Sequence, residues 1–310
     1  MRHEPRICDY EGTDYRADFW EGQGREYEDL AERIALRHLL PSSGCRLLDI
    51  GAGFGRLAEF YDRYDQVVLL DYSRSLLRQA QDRLGRNGRI LYVAANFYYL
   101  PFIDSTFDAI MMVRVIHHVE DVPSLLSEVA RVLAHGGAYV LEFASKRHLK
   151  AILRYVLRRQ RWSPFDLAPY EFADMNFDFH PTWMSDRLRE AGFHVKRRRT
   201  VSHFRLPLLK RLFPSHFRAK LDGLCQPTGA WWQLTPSVFV RCVLDKPDGN
   251  LSRGLFRCPA CGHAPLHESV EAVHCEVCGR HWPVEDGLYS FIGSTTGDCP
   301  KDPGRDMVRL

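Results

Sequence analysis

No apolar run in this 310-residue chain approaches the ~18 residues that a membrane-spanning helix requires, so a helical span is not expected within it. The opening Met1-Arg2-His3-Glu4-Pro5 lacks the apolar stretch of a secretory leader, which points to a cytoplasmic protein. Charge of one sign is scarce overall: the net charge is only +3, too small to mark the whole chain as a nucleic-acid coat. The nine cysteines are not spaced as a disulfide framework, and in a cytoplasmic setting they point to metal or free thiols. At 45% hydrophobic and 26% charged residues, the composition is that of a globular protein, with length for one large domain and a small one.

What is present begins at residues 47–56, Leu-Leu-Asp-Ile-Gly-Ala-Gly-Phe-Gly-Arg. An apolar run ends in Asp49 and meets glycines at every second position, a turn suited to a ligand that approaches backbone. A dinucleotide fold would place a third glycine three residues after Gly53, where this chain has Arg56. A helix over Gly55–Tyr61 is expected, its amino terminus near Arg56 offering free N–H groups. A second apolar run, Val67–Leu70, ends in Asp71-Tyr72, and an acid at that tip can accept both hydroxyls of a ribose.

Apolar strands and helices then alternate: Arg46–Ile50, Gln66–Asp71, Arg74–Leu84, Arg89–Ala94, Phe107–Val113, Ser124–Leu133 and Ala138–Phe143. Unbroken apolar strands between helices predict a parallel sheet covered on both faces. Its ligand belongs at the carboxyl ends of the strands, where Asp49, Asp71, Asn96 and His117 fall. A Gly136-Gly137 turn precedes the last of these strands, and Thr182–Ala191 reads as a helix with Thr182 as N-cap. Pro236–Leu244 reads as the final strand.

The glycine motif, the Asp71 tip, the block from Leu100-Pro101-Phe102 to Phe107-Asp108 and the Gly136-Gly137 turn occur together and in order. With them the chain resembles the class I S-adenosylmethionine (SAM) dependent methyltransferases, of the broad group that includes quinone-pathway enzymes. The resemblance is strong over 45–145 and loose over 181–244. It implies a doubly wound, seven-stranded, mostly parallel Rossmann-like α/β sheet whose final strand is antiparallel. It further implies that Asp49, Gly51, Ala52 and Gly53 line the methionine part of SAM. Asp71 would hold the ribose and Tyr72 would lie against the adenine. Asn96 stands where the family commonly has an Asp; its side-chain carbonyl can accept the adenine amino hydrogen bond. Phe97 would offer its backbone N–H to the adenine ring, and Arg114 would sit at the methionine end. No Asn/Asp-Pro-Pro-Tyr motif follows the fourth strand, which disfavours exocyclic amines of DNA or glutamine as acceptors. His117 and His118, at that strand's tip, are the candidate general bases if the acceptor must lose a proton; lining the pocket is the other role open to them.

Residues 1–44, with Tyr10, Tyr15, Phe19, Trp20 and a helix over Tyr27–Leu40, read as an amino-terminal segment that either lids the SAM site or covers the sheet. Within the 45–244 methyltransferase region, residues 145–220 stand apart. They hold eighteen Lys+Arg against six Asp+Glu, or +12, which leaves −9 for the rest of the chain. His148–Gln160 reads as a basic amphipathic helix; Lys196-Arg197-Arg198-Arg199 and Arg205–Lys220 are further basic stretches. An acidic membrane surface, RNA phosphates, or plain solvated helix faces would each account for them.

Beyond a linker at 245–253 lie Cys258-Pro-Ala-Cys261 and Cys275-Glu-Val-Cys278. Two such knuckles supply four thiolates for a tetrahedral, structural zinc, which would add on the order of 10 kcal/mol to a unit too small to hold a core alone. This C-terminal zinc ribbon, 254–293, resembles the small activator proteins of tRNA and translation-factor methyltransferases. Cys8, Cys45, Cys225, Cys242 and Cys299 show no pairing pattern and are expected as free thiols, and the tail 294–310 as disordered. The function expected is methyl transfer from SAM to a lipophilic small molecule or an RNA base. A non-catalytic SAM-binding scaffold, whose ribbon docks protein or RNA, and an NAD-dependent oxidoreductase are the alternatives.

Overall fold

The structure, a computed structural model, describes residues 5–12, 25–247 and 254–293. Helix α1 (Glu26–Leu39) leads into β1 (Gly44–Ile50), β2 (Tyr64–Asp71), α2 (Arg74–Leu84), β3 (Ile90–Ala94), β4 (Phe107–Met112), α3 (Val122–Val132) and β5 (Leu133–Ala144). Then come α4 (Leu149–Val156), a hairpin of β6 (Tyr170–Ala173) and β7 (Asn176–Asp178), α5 (Pro181–Glu190), β8 (Phe193–Val201), α6 (Pro207–Leu212), α7 (Ser215–Cys225) and β9 (Ser237–Leu244). The cysteine unit adds β10 (His267–Glu268), β11 (Ala272–His274), β12 (His281–Glu285) and β13 (Leu288–Ser290).

The seven-stranded sheet runs β3-β2-β1-β4-β5-β9-β8, and within it β9 is antiparallel to both its neighbours. Neighbouring strand residues feed opposite faces. Leu48, Ile50, Val68 and Leu70 join one core with α3 and α5, while Leu47, Val67 and Leu69 join the other with α1 and α2. That two-sided burial is why the strands read as continuous apolar runs. Local signals set the helix ends: the Ser73 hydroxyl accepts the Leu76 N–H, and the Asp121 carboxylate accepts that of Ser124.

The cysteine unit is not a separate bead. β13 pairs in parallel with the edge strand β3, so the sheet continues to eleven strands. Phe291 N–H donates to the Ala94 carbonyl at 2.7 Å, Ile103 N–H to Leu255 at 3.0 Å, and Arg257 N–H to Pro101 at 3.0 Å. Phe256 stacks on Phe102 and touches Tyr289 and Phe291. An edge strand that would otherwise present unpaired backbone is thereby covered.

Several expectations are corrected. The helix expected over Gly55–Tyr61 is only a 3-10 turn, Ala58–Tyr61, so no helix amino terminus faces the glycines. Gly53 and Gly55 both have positive φ, which an α-helix cannot carry. The Gly136-Gly137 turn lies inside β5, where the register with β4 shifts. The basic helix stops at Val156, and Arg158 just beyond it has φ 55°. His180, not Thr182, caps α5: its Nδ1 accepts the Thr182 N–H. The run Lys196–Arg199 is strand, and its arginines donate to His38, Ser185 and Gln226, with Lys196 and Arg197 exposed. Cys8, Cys45, Cys225 and Cys242 are free thiols. Tyr15, Phe19, Trp20, Cys299, part of the linker and the tail lie outside the described residues.

Candidate functional site

The turn after β1 opens onto a cavity at the carboxyl ends of β1, β2 and β4. Gly51 has φ 73°, and a Cβ there would sit 2.2 Å from the Val115 side chain. A Cβ at Gly53 would meet nothing within 4 Å, because the space before it is the cavity. The backbone itself forms this wall, pinned by Gly51 and Ala52 N–H groups donating to Leu70 at 2.7 and 3.0 Å.

Two carboxylates line the cavity. Burial pushes Asp49 up to about 7, although the Tyr61 hydroxyl donates a hydrogen bond to it. Burial also pushes Asp71 up to about 6 against donation from Gly53 N–H at 2.8 Å and Ser73 N–H at 2.9 Å. Both acids are thus poised near neutrality, and a bound cation would hold them ionised. Tyr72 and Phe97 supply aromatic walls.

Glu32 of α1 is 1% exposed and ties that helix to the cavity wall. It accepts from Arg56 at 2.8 Å and from Arg114 Nε at 2.8 Å, and these two guanidiniums hold it below the usual carboxylate range in spite of burial. Arg114 has φ 60°, a conformation fixed by this pairing and by its N–H donating to Glu142 at 3.0 Å. Its side chain turns to Glu32, and the residue lines the cavity.

The two histidines part company. His118 lines the cavity. Its Nδ1 lies 2.8 Å from the Met175 carbonyl, which can only accept, so the proton sits on Nδ1. Nε2 is left as an acceptor, 3.1 Å from the Tyr10 hydroxyl. Burial pushes His118 down, so the ring is neutral. His117 lies against it with the rings tilted by 46°, lies off the cavity and is pushed well down by burial. Asn96 also lies off the cavity. Its Oδ1 accepts from Tyr98 N–H, and it lines a neighbouring cleft with Arg280 and Trp282 of the cysteine unit. Tyr72 borders both spaces. Asp49, Gly51, Ala52, Gly53, Asp71, Tyr72, Phe97, Arg114 and His118 are therefore brought together, and Asn96 and His117 are not.

Sequence reasoning missed Tyr61 and Glu32; it named Arg56 only as the amino end of a helix, Tyr10 only within the amino-terminal segment and Cys8 only as a free thiol. Glu32 did leave a signal: a lone acid three, four and seven residues before Ala35, Leu36 and Leu39, on the buried stripe of α1. Nothing in the sequence marks Tyr61.

A methyltransferase-domain family model matches residues 48–141. The demethylmenaquinone methyltransferase of Tropheryma whipplei is 36% identical over 171 residues, 52% of this chain and 71% of that protein. The chain belongs to the SAM-dependent methyltransferases. A ubiquinone/menaquinone biosynthesis C-methyltransferase (UbiE) of Saccharophagus degradans is 36% identical to this methyltransferase over 114 residues. That match covers 34% of this chain and 46% of the relative, so the methyltransferase spans under half of that protein's length. Among solved structures, a complex between the Haloferax volcanii Trm112 methyltransferase activator and a putative methyltransferase superposes with a TM-score of 0.51 at 16% identity. It covers 75% of this chain and 98% of the solved one. A putative SAM-dependent methyltransferase of Listeria monocytogenes gives 0.50 at 16% identity, over 71% and 99%. These two likenesses concern the fold.

The methyltransferase also gathers Cys258, Cys261, Cys275 and Cys278, whose sulfurs all lie within 4.8 Å of one another. Two of the separations are 3.6 Å. A tetrahedron of thiolates about 2.3 Å from zinc has edges of about 3.8 Å, so the donor set fits that ion. The glycines after each knuckle, Gly262 and Gly279, have φ 77° and 69°, and their N–H groups donate back to Cys258 and Cys275.

Proposed function

We propose that this protein transfers the methyl group of SAM to a lipophilic small molecule bearing an acidic hydrogen. The observation that carries the proposal is the cavity where the Gly51–Gly53 backbone meets Asp49 and Asp71 at neighbouring strand tips. When bound, SAM supplies an electrophilic methyl group on a sulfonium centre. Asp49 and the glycine backbone would hold its amino-acid end, Asp71 its ribose diol, and Tyr72 and Phe97 its adenine. With the Tyr10 hydroxyl displaced from it by the acceptor, the neutral Nε2 of His118 would take the acceptor's proton, and the Met175 carbonyl would orient the ring through Nδ1. The half-buried walls exclude water from the transfer. The T. whipplei and S. degradans relatives carry quinone-pathway names, which favours a lipophilic acceptor over RNA.

The four cysteines would hold a structural zinc, closed to substrate. The Haloferax volcanii neighbour is a methyltransferase in complex with a separate activator. Here the ribbon would fill an activator's place from within the same chain.

Incubation with methyl-labelled SAM and fractionated extract tests the function. Label in the lipid-soluble fraction is expected; label in RNA or protein, or none at all, contradicts it. His118→Gln is expected to keep SAM affinity and lower turnover by on the order of a hundredfold or more. Full turnover in that variant removes His118 as the base.

A further inference from the structure

Helix α4 is built inside out. Leu149, Leu153 and Val156 form its apolar stripe, yet they are 55%, 52% and 67% exposed, and Ala151 is its buried residue. The anomaly extends well beyond the helix. Of the twenty large apolar side chains exposed among the described residues, seventeen fall in residues 149–234. Trp231 and Trp232 are 75% and 69% exposed. Scattered exposed leucines need no explanation, but such a concentration marks an interaction surface.

These residues share one edge of the molecule. β5 ends at Ala144 and feeds α4; β9 starts at Ser237, paired with Ala144 and also with Val201, the end of β8. The 145–149, 202–206 and 231–236 segments therefore leave the sheet side by side. The Leu149 N–H donates to the Leu234 carbonyl at 2.8 Å, and the Tyr155 ring meets Phe165. This is also the carboxyl edge on which the cavity opens, because the ends of β1 and β4 pair in line with that of β5. The β6–β7 hairpin joins the two, with Met175 holding His118 and Phe172 exposed.

Charge identifies the occupant. Residues 149–167 and 205–234 hold ten Lys+Arg against two Asp+Glu, and one of those acids, Asp222, is fully buried. Lys150, Arg154 and Arg158 border the α4 stripe, and Lys210 and Arg211 border Leu208 and Leu212; all five are exposed. RNA phosphates would use the arginines but leave the aliphatic side chains unpaired. A second copy docking by its own equivalent face would oppose like charges. Leucine, phenylalanine and tryptophan interleaved with lysine and arginine suit the interface of a bilayer with anionic headgroups.

We propose that residues 149–167 and 205–234 form a docking face for an anionic phospholipid membrane, set beside the mouth of the cavity. The face stands on its own observations; that it delivers a membrane-dissolved acceptor to the cavity rests on the methyltransferase reading above. Such an acceptor would reach His118 without crossing water.

The test is co-sedimentation of the full-length protein with phosphatidylcholine vesicles, with and without phosphatidylglycerol. Partition is expected to rise on the order of tenfold or more with the anionic lipid, to fall with salt, and to blue-shift tryptophan emission. Lys150→Gln/Arg154→Gln/Arg158→Gln is expected to lower it on the order of a hundredfold. Trp231→Ser/Trp232→Ser should abolish the blue shift. Both variants should bind SAM as the parent does, which separates failure of this proposal from failure of the methyltransferase reading. Equal partition onto neutral and anionic vesicles, no partition, displacement of vesicles by added RNA, or a concentration-dependent dimer disrupted by the tryptophan substitutions would each overturn the proposal.

Discussion

Asp49 is where burial and ligand charge oppose each other most directly. Its carboxyl, pushed up to about 7, is protonated below that pH in the unliganded protein, while a sulfonium ligand favours the ionised form. SAM affinity is therefore expected to climb with pH, roughly tenfold per unit at first, and to level off above about 7. Calorimetric titration in two buffers of different ionisation enthalpy should detect one proton released near pH 6, and Asp49→Asn should flatten the profile. The sign for stability is the reverse. The folded value lies above the unfolded one of about 3.9, so in the absence of ligand this group's contribution is lost as pH rises from about 4 through about 7. Glu32 behaves oppositely, since Arg56 and Arg114 hold it ionised. Glu32→Gln leaves the part-buried Arg114 guanidinium with a neutral partner, while Arg56 keeps Asp29. A loss of about 3 kcal/mol in urea unfolding is expected, with weaker SAM binding because Arg56 and Arg114 both line the cavity.

At the level of elements, the cysteine unit and the sheet are coupled through β13 and the loop after β3. That loop carries Phe97 into the cavity and is hydrogen-bonded to the cysteine unit through Pro101 and Ile103. If the four cysteines hold zinc as proposed, its removal with a chelator, or Cys275→Ser, is expected to release β13 from β3 and weaken SAM binding. Hydrogen exchange reads this directly: the Phe291 and Ile103 amides should lose protection while those in the middle of β1 and β4 keep it. Unchanged protection after metal removal would show that the two parts do not depend on each other. The core strands were legible in the sequence because burial on both faces leaves uninterrupted apolar runs. β13 was not, since three residues carry no periodicity and their partner lies almost two hundred residues earlier. β8 hid behind Lys196–Arg199, whose arginines answer to His38, Ser185 and Gln226 rather than to a pattern within the strand. The cavity's glycines and acids were readable from their motifs together with the family resemblance. Tyr61 and Tyr10 were not, because only the folded chain brings them to Asp49 and His118.

For the molecule as a whole, one sheet joins everything that matters to function: a glycine- and carboxylate-lined cavity on its carboxyl edge, a basic apolar face beside that cavity, and a four-cysteine unit closing its far edge. No described helix is long and apolar enough to cross a membrane, so contact with lipid would be made through the exposed face and not by a span. The proposed methyl transfer depends on the cavity accepting SAM. Calorimetric titration of the zinc-loaded protein with SAM and with S-adenosylhomocysteine measures that most directly. Expected is one site for each compound, weakened about tenfold or more in Asp71→Ala while the far-UV spectrum is unchanged. No binding of either compound, or binding that Asp71→Ala leaves intact, contradicts it.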